Sequence, residues 1–249
     1  MKLVKAVTLF TVLGFGTALN AADLGGAVLK VGSDTASPPM EFIDPATGAI
    51  VGFDVDVVNA ICERINCKAE FVTTGWDGIF TALQEGQFDL VASGVSITEE
   101  RLQVMDFTEP YIVNGQAILV RAADAGLTVD DFKGGAHKLS AQANTTDAAT
   151  AEEIAGKGNV QPYDTFNGSI LALRNGDVDG VVINGANAAA YEAEFAGELV
   201  VTIRDLKADP LGLVFQKGDE RVAAFNEGLA AIKADGTLDA LIAKYWTAE

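Results

Sequence analysis

The stretch "WDGIFTALQEGQFDLVASG", residues 76–94, can be laid without a gap over "FNGSILALRNGDVDGVVIN", residues 166–184. Gly78 falls on Gly168, Ala82 on Ala172, Leu83 on Leu173, Gly86 on Gly176, Asp89 on Asp179, Val91 on Val181, and Trp76 on Phe166. In the first copy Ile79, Phe80 and Leu83 recur at helical spacing, and Gly86 suits the left-handed residue that ends a helix. Leu90-Val91-Ala92 then reads as a short buried strand. Any helix–glycine–strand unit produces part of this match. The ungapped length favours two lobes of similar α/β construction, each contributing an equivalent strand end: Gly94 in one, Asn184 in the other. Ligands bind outside the carboxyl ends of strands in open α/β sheets, so both positions are expected to face one shared cleft.

The rest of the chain alternates in the same way. Strand-like segments fall at 29–31, 69–74, 137–142, 181–184 and 199–203, and helical ones at 53–66, 145–156, 185–197, 219–236 and 237–246. Such an order predicts mostly parallel sheets covered by helices. The 249 residues, 49% of them hydrophobic, are enough for one large or two smaller cores.

Residues 1–21 read as a separate unit. Lys2 and Lys5 precede an uncharged apolar run from Ala6 to Leu19, and small residues follow at Ala21-Ala22. This is the layout of a cleaved secretory signal, and the run is short for a membrane span; an uncleaved anchor is the alternative. The formal charge of −18 becomes about −20 without the leader, which disfavours nucleic acid and anionic lipid as partners. Export permits a disulfide between Cys62 and Cys67 in "ICERINCKAEF", and two buried free thiols are the other possibility. The single histidine, His137, has no cysteine or histidine cluster around it and is expected at the surface.

Thr98 has the look of a helix N-cap, with Glu99 and Glu100 in the first turn. Arg101 shares that turn, where a cation is disfavoured by about 0.3–1 kcal/mol. The bland explanation is a solvated side chain. The functional one turns Arg101 back over the strand end, where guanidinium holds a carboxylate in bidentate fashion. Backbone N–H groups near Ser96 would add donors, and Ser93 and Gly94 suit a ligand pressed against the backbone.

Taken together, "GFDVDVVNAICERI", "WDGIFTALQEGQFDLVASGVSITEER", "DFTEPY" and "KGDERVAAFNEGLAAIKADGT" resemble the periplasmic amino-acid-binding proteins of bacterial ABC importers (solute-binding protein family 3, polar amino acid type). The resemblance spans essentially the whole chain after the leader. It implies a two-lobed, type II periplasmic-binding-protein fold, each lobe a mixed, mostly parallel sheet flanked by helices, with two hinge strands near 113–117 and 209–213. The lobes it implies are 22–113 with 213–249, and 114–212. It further implies a monomer in the periplasm, no cofactor, a small ligand carrying a carboxylate, and a membrane permease as partner. Arg101 would hold that carboxylate, helped by the Ser96 amide and, from the second lobe, by Thr145 and Thr146. The Gly94 carbonyl would accept from the ligand's ammonium, beside Ser93; Asp34 would meet the ligand's side chain and Trp76 would pack on it. Asp34 as a turn residue, Trp76 as core and the threonines as helix caps are the plainer readings.

Two departures stand out. The family usually has an aspartate for the ammonium where this chain has Asn184, and many members have an aromatic where this chain has Ser37. One charge anchor and one stacking face are therefore expected to be missing, which suggests a ligand unlike a simple free amino acid. N-substituted or cyclic imino acids, opine-like conjugates or other small carboxylates would fit; alternatively, Asp34 supplies the charge to an ordinary polar amino acid. No nucleotide-binding "GxxxxGK[ST]" occurs. A dehydratase acting on cyclohexadienyl carboxylates is the rival enzyme reading, since the fold also hosts that activity; a ligand-sensing periplasmic module is another.

Overall fold

The computed structural model describes residues 22–246, so the leader expected at 1–21 lies outside the described residues. The described chain opens with β1 (Ala27–Ser33), a small three-stranded sheet of β2 (Ala36–Ser37), β3 (Glu41–Ile43) and β4 (Ile50–Val51), then α1 (Phe53–Arg64) and β5 (Cys67–Thr73). After these come α2 (Ile79–Gln84), β6 (Leu90–Val91), α3 (Glu99–Val104) and β7 (Met105–Phe107). The long β8 (Ile112–Arg121) leads to β9 (Leu139–Gln142), α4 (Thr146–Ala155), β10 (Val160–Tyr163), α5 (Phe166–Asn175), β11 (Gly180–Asn184), α6 (Gly185–Glu194) and β12 (Leu199–Ile203). The chain returns through β13 (Ala208–Leu211) and β14 (Val214–Gln216) to α7 (Arg221–Ala234) and α8 (Thr237–Tyr245).

Two main sheets result. The first has the order β5-β1-β6-β14-β7 and the second β10-β9-β11-β8-β12, with β13 pairing on β8. In the first, β14 is antiparallel to both neighbours, and β5, β1, β6 and β7 share one direction. In the second, β8 alone is reversed in the same place. The two sheets therefore have one topology used twice. In each, the chain leaves a central strand, β1 or β9, for one neighbour and comes back on the other side, which creates a switch point between β1 and β6 and another between β9 and β11.

The internal repeat holds at the level of single bonds. Leu90 registers with Val31 and Gly180 with Leu139, so residues 31 and 139 are equivalent. Lys30 N donates to Asp89 Oδ2 at 2.8 Å, and Lys138 N donates to Asp179 Oδ2 at 2.9 Å. Each aspartate also pairs with an arginine, Asp89 with Arg221 and Asp179 with Arg121. Counting forward in register makes Asp34 the counterpart of Gln142, a relation that the repeat as quoted stops short of.

Apolar residues fill both faces of each sheet, as a layered α/β unit requires. On one face of the first sheet Val57, Val58, Ile61 and Ile65 of the α1 segment meet Phe225, Leu229, Ile232 and Leu238, so α7 and α8 belong to the first core. A Cβ on Gly228 would stand 2.8 Å from Ile61, which is why α7 carries glycine at that crossing. The opposite face buries Ile79, Leu83, Val91, Val95, Phe107 and Val214. In the second sheet, Leu119, Ile170, Leu173, Val181 and Ile183 pack on one side and Ile118, Val120, Phe132, Leu139 and Val182 on the other.

Element boundaries differ from the sequence expectation in explicable ways. The helix expected over 53–66 stops at Arg64 because Asn66 turns left-handed, at φ 54°, and Cys62 and Cys67 are joined by a disulfide across that turn. The strand expected from 137 begins at Leu139, and His137 is part-exposed, 3.8 Å from Asp179 Oδ2. β10 is not among the strands expected from the sequence; its Pro162 is tolerated because β10 lies at a sheet edge. Residues 113–117 lie in β8, and 209–211 lie in β13. The two segments pair antiparallel, from Ala208 opposite Gly115 to Leu211 opposite Ile112.

Candidate ligand-binding site

The carboxyl ends of β1 and β6 face those of β9 and β11 across a cavity of about 30 Å³. Asp34, Ser37, Trp76, Ser93, Gly94, Ser96, Arg101, Thr145, Thr146 and Asn184 all line it. The structure thus brings together the ten positions singled out in the sequence. It adds Met40, Glu41, Gln142, Asp147, Phe166, Asn187 and Asp209 to the lining. Equivalent residues of the two lobes line it together: Gly94 and Asn184, Trp76 and Phe166, and Asp34 and Gln142, of which the last pair are in direct contact.

Thr98 caps α3 by accepting from Arg101 N at 3.2 Å. The Arg101 side chain turns back so that Nη1 donates to the Ser96 carbonyl at 2.9 Å. Its guanidinium carbon lies 5.6 Å from the centre of the Trp76 ring and 5.1 Å from that of Phe80, within the range of cation–π attraction. Burial pushes its pKa down, opposed by the charges of Asp209, Glu100 and Asp147. Among the described residues no carboxylate pairs with it directly, which leaves most of the guanidinium fork unused.

Several contacts bridge the cleft. Gln142 Nε2 donates to Asp34 Oδ2 at 3.0 Å, and Trp76 Nε1 donates to the Asn144 carbonyl at 3.2 Å. Asn187 Nδ2 donates to Ser37 Oγ at 3.1 Å and to the Pro38 carbonyl at 2.7 Å. The Ser96 and Thr146 hydroxyl oxygens are 2.9 Å apart, and Ser96 Oγ donates to Asp209 Oδ2 at 2.9 Å. Ser37 is thus engaged by Asn187, while Phe166 supplies an aromatic face from the second lobe. Thr145 is the N-cap of α4: its hydroxyl donates to the Gln142 carbonyl and accepts from Ala148 N. That hydroxyl is already used, whereas the Thr146 hydroxyl faces the first lobe.

The cavity wall is rich in acids. Glu41 is 1% exposed; Ser93 Oγ donates to its Oε1 at 3.0 Å, and its Oε2 has no partner. Burial and the neighbouring Asp54 hold the Glu41 pKa well above the usual carboxylate range. Asp54 accepts from Gly94 N at 2.7 Å and from the Tyr111 hydroxyl at 2.8 Å, and burial lifts it to about 6. Asp54 therefore pins the Gly94 loop from behind. Burial raises Asp34 against the opposing Gln142 amide, and raises Asp209 against Ser96 and Arg101. Asp147, in the first turn of α4, is pushed up to about 7 by burial and by the nearby Asp209. Sequence reasoning missed Glu41, Asp147 and Asp209 as lining residues.

Residues 29–248 match the model of the bacterial extracellular solute-binding proteins, family 3. A relative from Neisseria gonorrhoeae named as a probable histidine-binding protein is 34% identical, over 90% of this chain and 85% of its own. A putative ABC transporter arginine-binding protein 2 of Escherichia coli is 29% identical, over 97% of this chain and 98% of its own. Among solved structures, the arginine-, lysine-, histidine-binding protein ArtJ of Geobacillus stearothermophilus is similar with a TM-score of 0.81 at 32% identity, covering 89% of this chain and 96% of that one. The matching family model, the paired lobes and the part-buried guanidinium between them agree: the chain belongs to the bacterial extracellular solute-binding proteins, family 3.

Proposed function

We propose that this protein captures an amino acid or amino-acid derivative between its lobes and hands it to the permease of an ABC importer. The observation that carries the reading is the Arg101 guanidinium, part-buried in the cleft with its donors directed at no carboxylate among the described residues. A ligand carboxylate completes it, with the Ser96 amide from the first lobe and Thr146 from the second closing around the same group. Trp76 and Phe166 flank the ligand, and the Gly94 carbonyl with the cavity acids receives its positive nitrogen. Gln142, Asn187 and Thr146 then act as the second lobe's half of the clasp, so that a ligand touching both lobes favours the closed arrangement.

In this reading residues 22–113 and 213–249 form one lobe and 114–212 the other, and the paired stretches at 113–117 and 209–211 are the hinge. Residues 1–21 direct export, and the protein works in the periplasm. The relatives' printed names, probable histidine-binding and putative ABC transporter arginine-binding, support the transport role and a nitrogen-rich ligand.

A binding role rather than catalysis is favoured by the lining. Its acids are fixed in side-chain bonds or stand beside other acids, and no histidine, lysine or cysteine is among the lining residues to activate the Ser93 or Ser96 hydroxyl. The experiment is a thermal-shift screen of the twenty L-amino acids, cyclic imino acids, opines and small carboxylates. One class should raise the melting temperature, with about 2.7 kcal/mol added at 100 times its dissociation constant. Incubation with a cyclohexadienyl carboxylate should leave it unchanged. No shift with any amino acid or derivative, or loss of the cyclohexadienyl compound, would overturn the reading.

A further inference from the structure

Asn184 ends β11 at the cavity, yet its side chain is spoken for. Its Oδ1 accepts from Asn114 Nδ2 and, at 3.2 Å, from Ala186 N at the start of α6. The backbone donor at Ala186 fixes the orientation of the amide, so what Asn184 can still offer is its NH₂ end, a donor. A ligand ammonium is also a donor and gains nothing there.

Asp147 sits beside it. The residue is 4% exposed, lines the cavity, and leaves Oδ1 buried without any hydrogen-bond partner. The Gln116 amide and the Asn184 backbone N–H support its carboxylate. Arg101 is the only cation among the lining residues, and it acts on Asp147 through space without bonding it. A buried carboxylate oxygen left unpaired is costly, and nothing among the lining residues relieves it. Asp147 also directly follows Thr146, whose hydroxyl meets Ser96 close to the Arg101 fork. A carboxylate on Arg101 therefore brings the substituents of its α-carbon towards Asp147.

Resting on the reading of the cleft as an amino-acid site, we propose that Asp147 is the anchor for the ligand's α-ammonium, supplying from α4 the charge that Asn184 lacks. The site then takes ordinary α-amino acids with a free ammonium, and not only N-blocked derivatives. A second consequence is proton release. The ligand-free carboxyl is held to about 7 and faces Asp209 from β13 and Arg101 from α3, with neutral Gln116 and Asn184 on its other sides. A cation seated on it drives the remaining proton off.

The test is calorimetric titration of wild type, Asp147→Asn and Arg101→Met with L-arginine and with 5-guanidinopentanoic acid, which is the same molecule without the α-ammonium; L-histidine and its deaminated analogue replace them if L-arginine does not bind. Asp147→Asn should weaken the amino acid by about 10- to 100-fold and leave the deaminated analogue within threefold. It should also abolish the proton release that wild type shows at pH 6.5 in buffers of different ionisation enthalpy. The apo variant should melt no lower than wild type, since an unpaired carboxylate has gone. Amino-acid affinity unchanged within threefold in Asp147→Asn, with Arg101→Met still defective, overturns the anchor alone. Failure of both amino acids to bind wild type overturns the anchor together with the ligand class.

Discussion

Replacing Arg101 by methionine tests the centre of the site. Methionine keeps most of the apolar stem and removes only the charged fork that lies over Trp76 and Phe80. In the ligand-free protein that fork makes one bond, to the Ser96 carbonyl, and two cation–π contacts worth about 0.5–1 kcal/mol each. Against these stands the burial that lowers its pKa. The net change in apo stability is therefore expected within about 1–2 kcal/mol, or roughly 2–8 °C for a chain of this size. The liganded state behaves differently. A bidentate guanidinium–carboxylate pair makes two charge-assisted bonds of about 1.5–3 kcal/mol each. Losing about 3–4 kcal/mol corresponds to roughly 100- to 1,000-fold in affinity. Calorimetry with the best amino acid from the thermal screen reads this directly. Affinity held within threefold, in a variant that melts like wild type, would show that the carboxylate is seated elsewhere.

Three other outcomes follow from the same contacts. Cys62→Ser with Cys67→Ser opens a loop of about six residues, worth about 2 kcal/mol by loop entropy. The bridge sits where α1 meets β5, away from the cavity lining, so chemical denaturation should show the loss while ligand affinity stays unchanged. The folded protein holds Asp147 at about 7 and Asp54 at about 6, and burial holds Glu41 well above its usual range. Because these pKa values are raised, the native state binds more protons than the unfolded chain between about pH 4 and 7, and stability falls as pH rises through that window. Apo melting temperatures should be higher at pH 5 than at pH 8, and Asp147→Asn should shrink the difference; a rise towards pH 8 would contradict the assignment. Gln142→Leu removes the amide that reaches Asp34 across the cleft and leaves an acid without its donor in the closed form. Ligand affinity should drop about 5- to 20-fold, and small-angle scattering should show a more open apo protein.

Much of the fold was legible because the repeat is written in residues with strict backbone duties. Gly86 and Gly176 both take left-handed φ at a helix end, and Asp89 and Asp179 both hold the strand beside them. Those duties tolerate few substitutes, so they survive as a visible pattern. Arg101 was legible because an arginine in a first helical turn calls for a reason. Asp147 was hidden for the opposite cause: an acid in a first turn is the ordinary choice, and nothing local distinguishes one that faces a cavity. Glu41 lies in a short strand after Pro38-Pro39, and its burial comes from residues distant in sequence, Ser93 and Asp54 among them. Gln142 could have been found by sliding "KVGSD" (30–34) over "KLSAQ" (138–142), a match too short to notice until the registers of β1 and β9 fix it.

The place of β14 sets a timetable for assembly. Residues 214–216 fill the slot between β6 and β7, so the first sheet stays split until nearly all of the chain has been synthesised. Strands β8 to β12 lie wholly between 112 and 203, so those five strands can pair while the first sheet still waits. During the interval Leu90, Val91, Met105 and Phe107 sit on unpaired edges, where sticking to other nascent chains competes with maturation. A chain terminated at residue 213 would stay in that interval permanently.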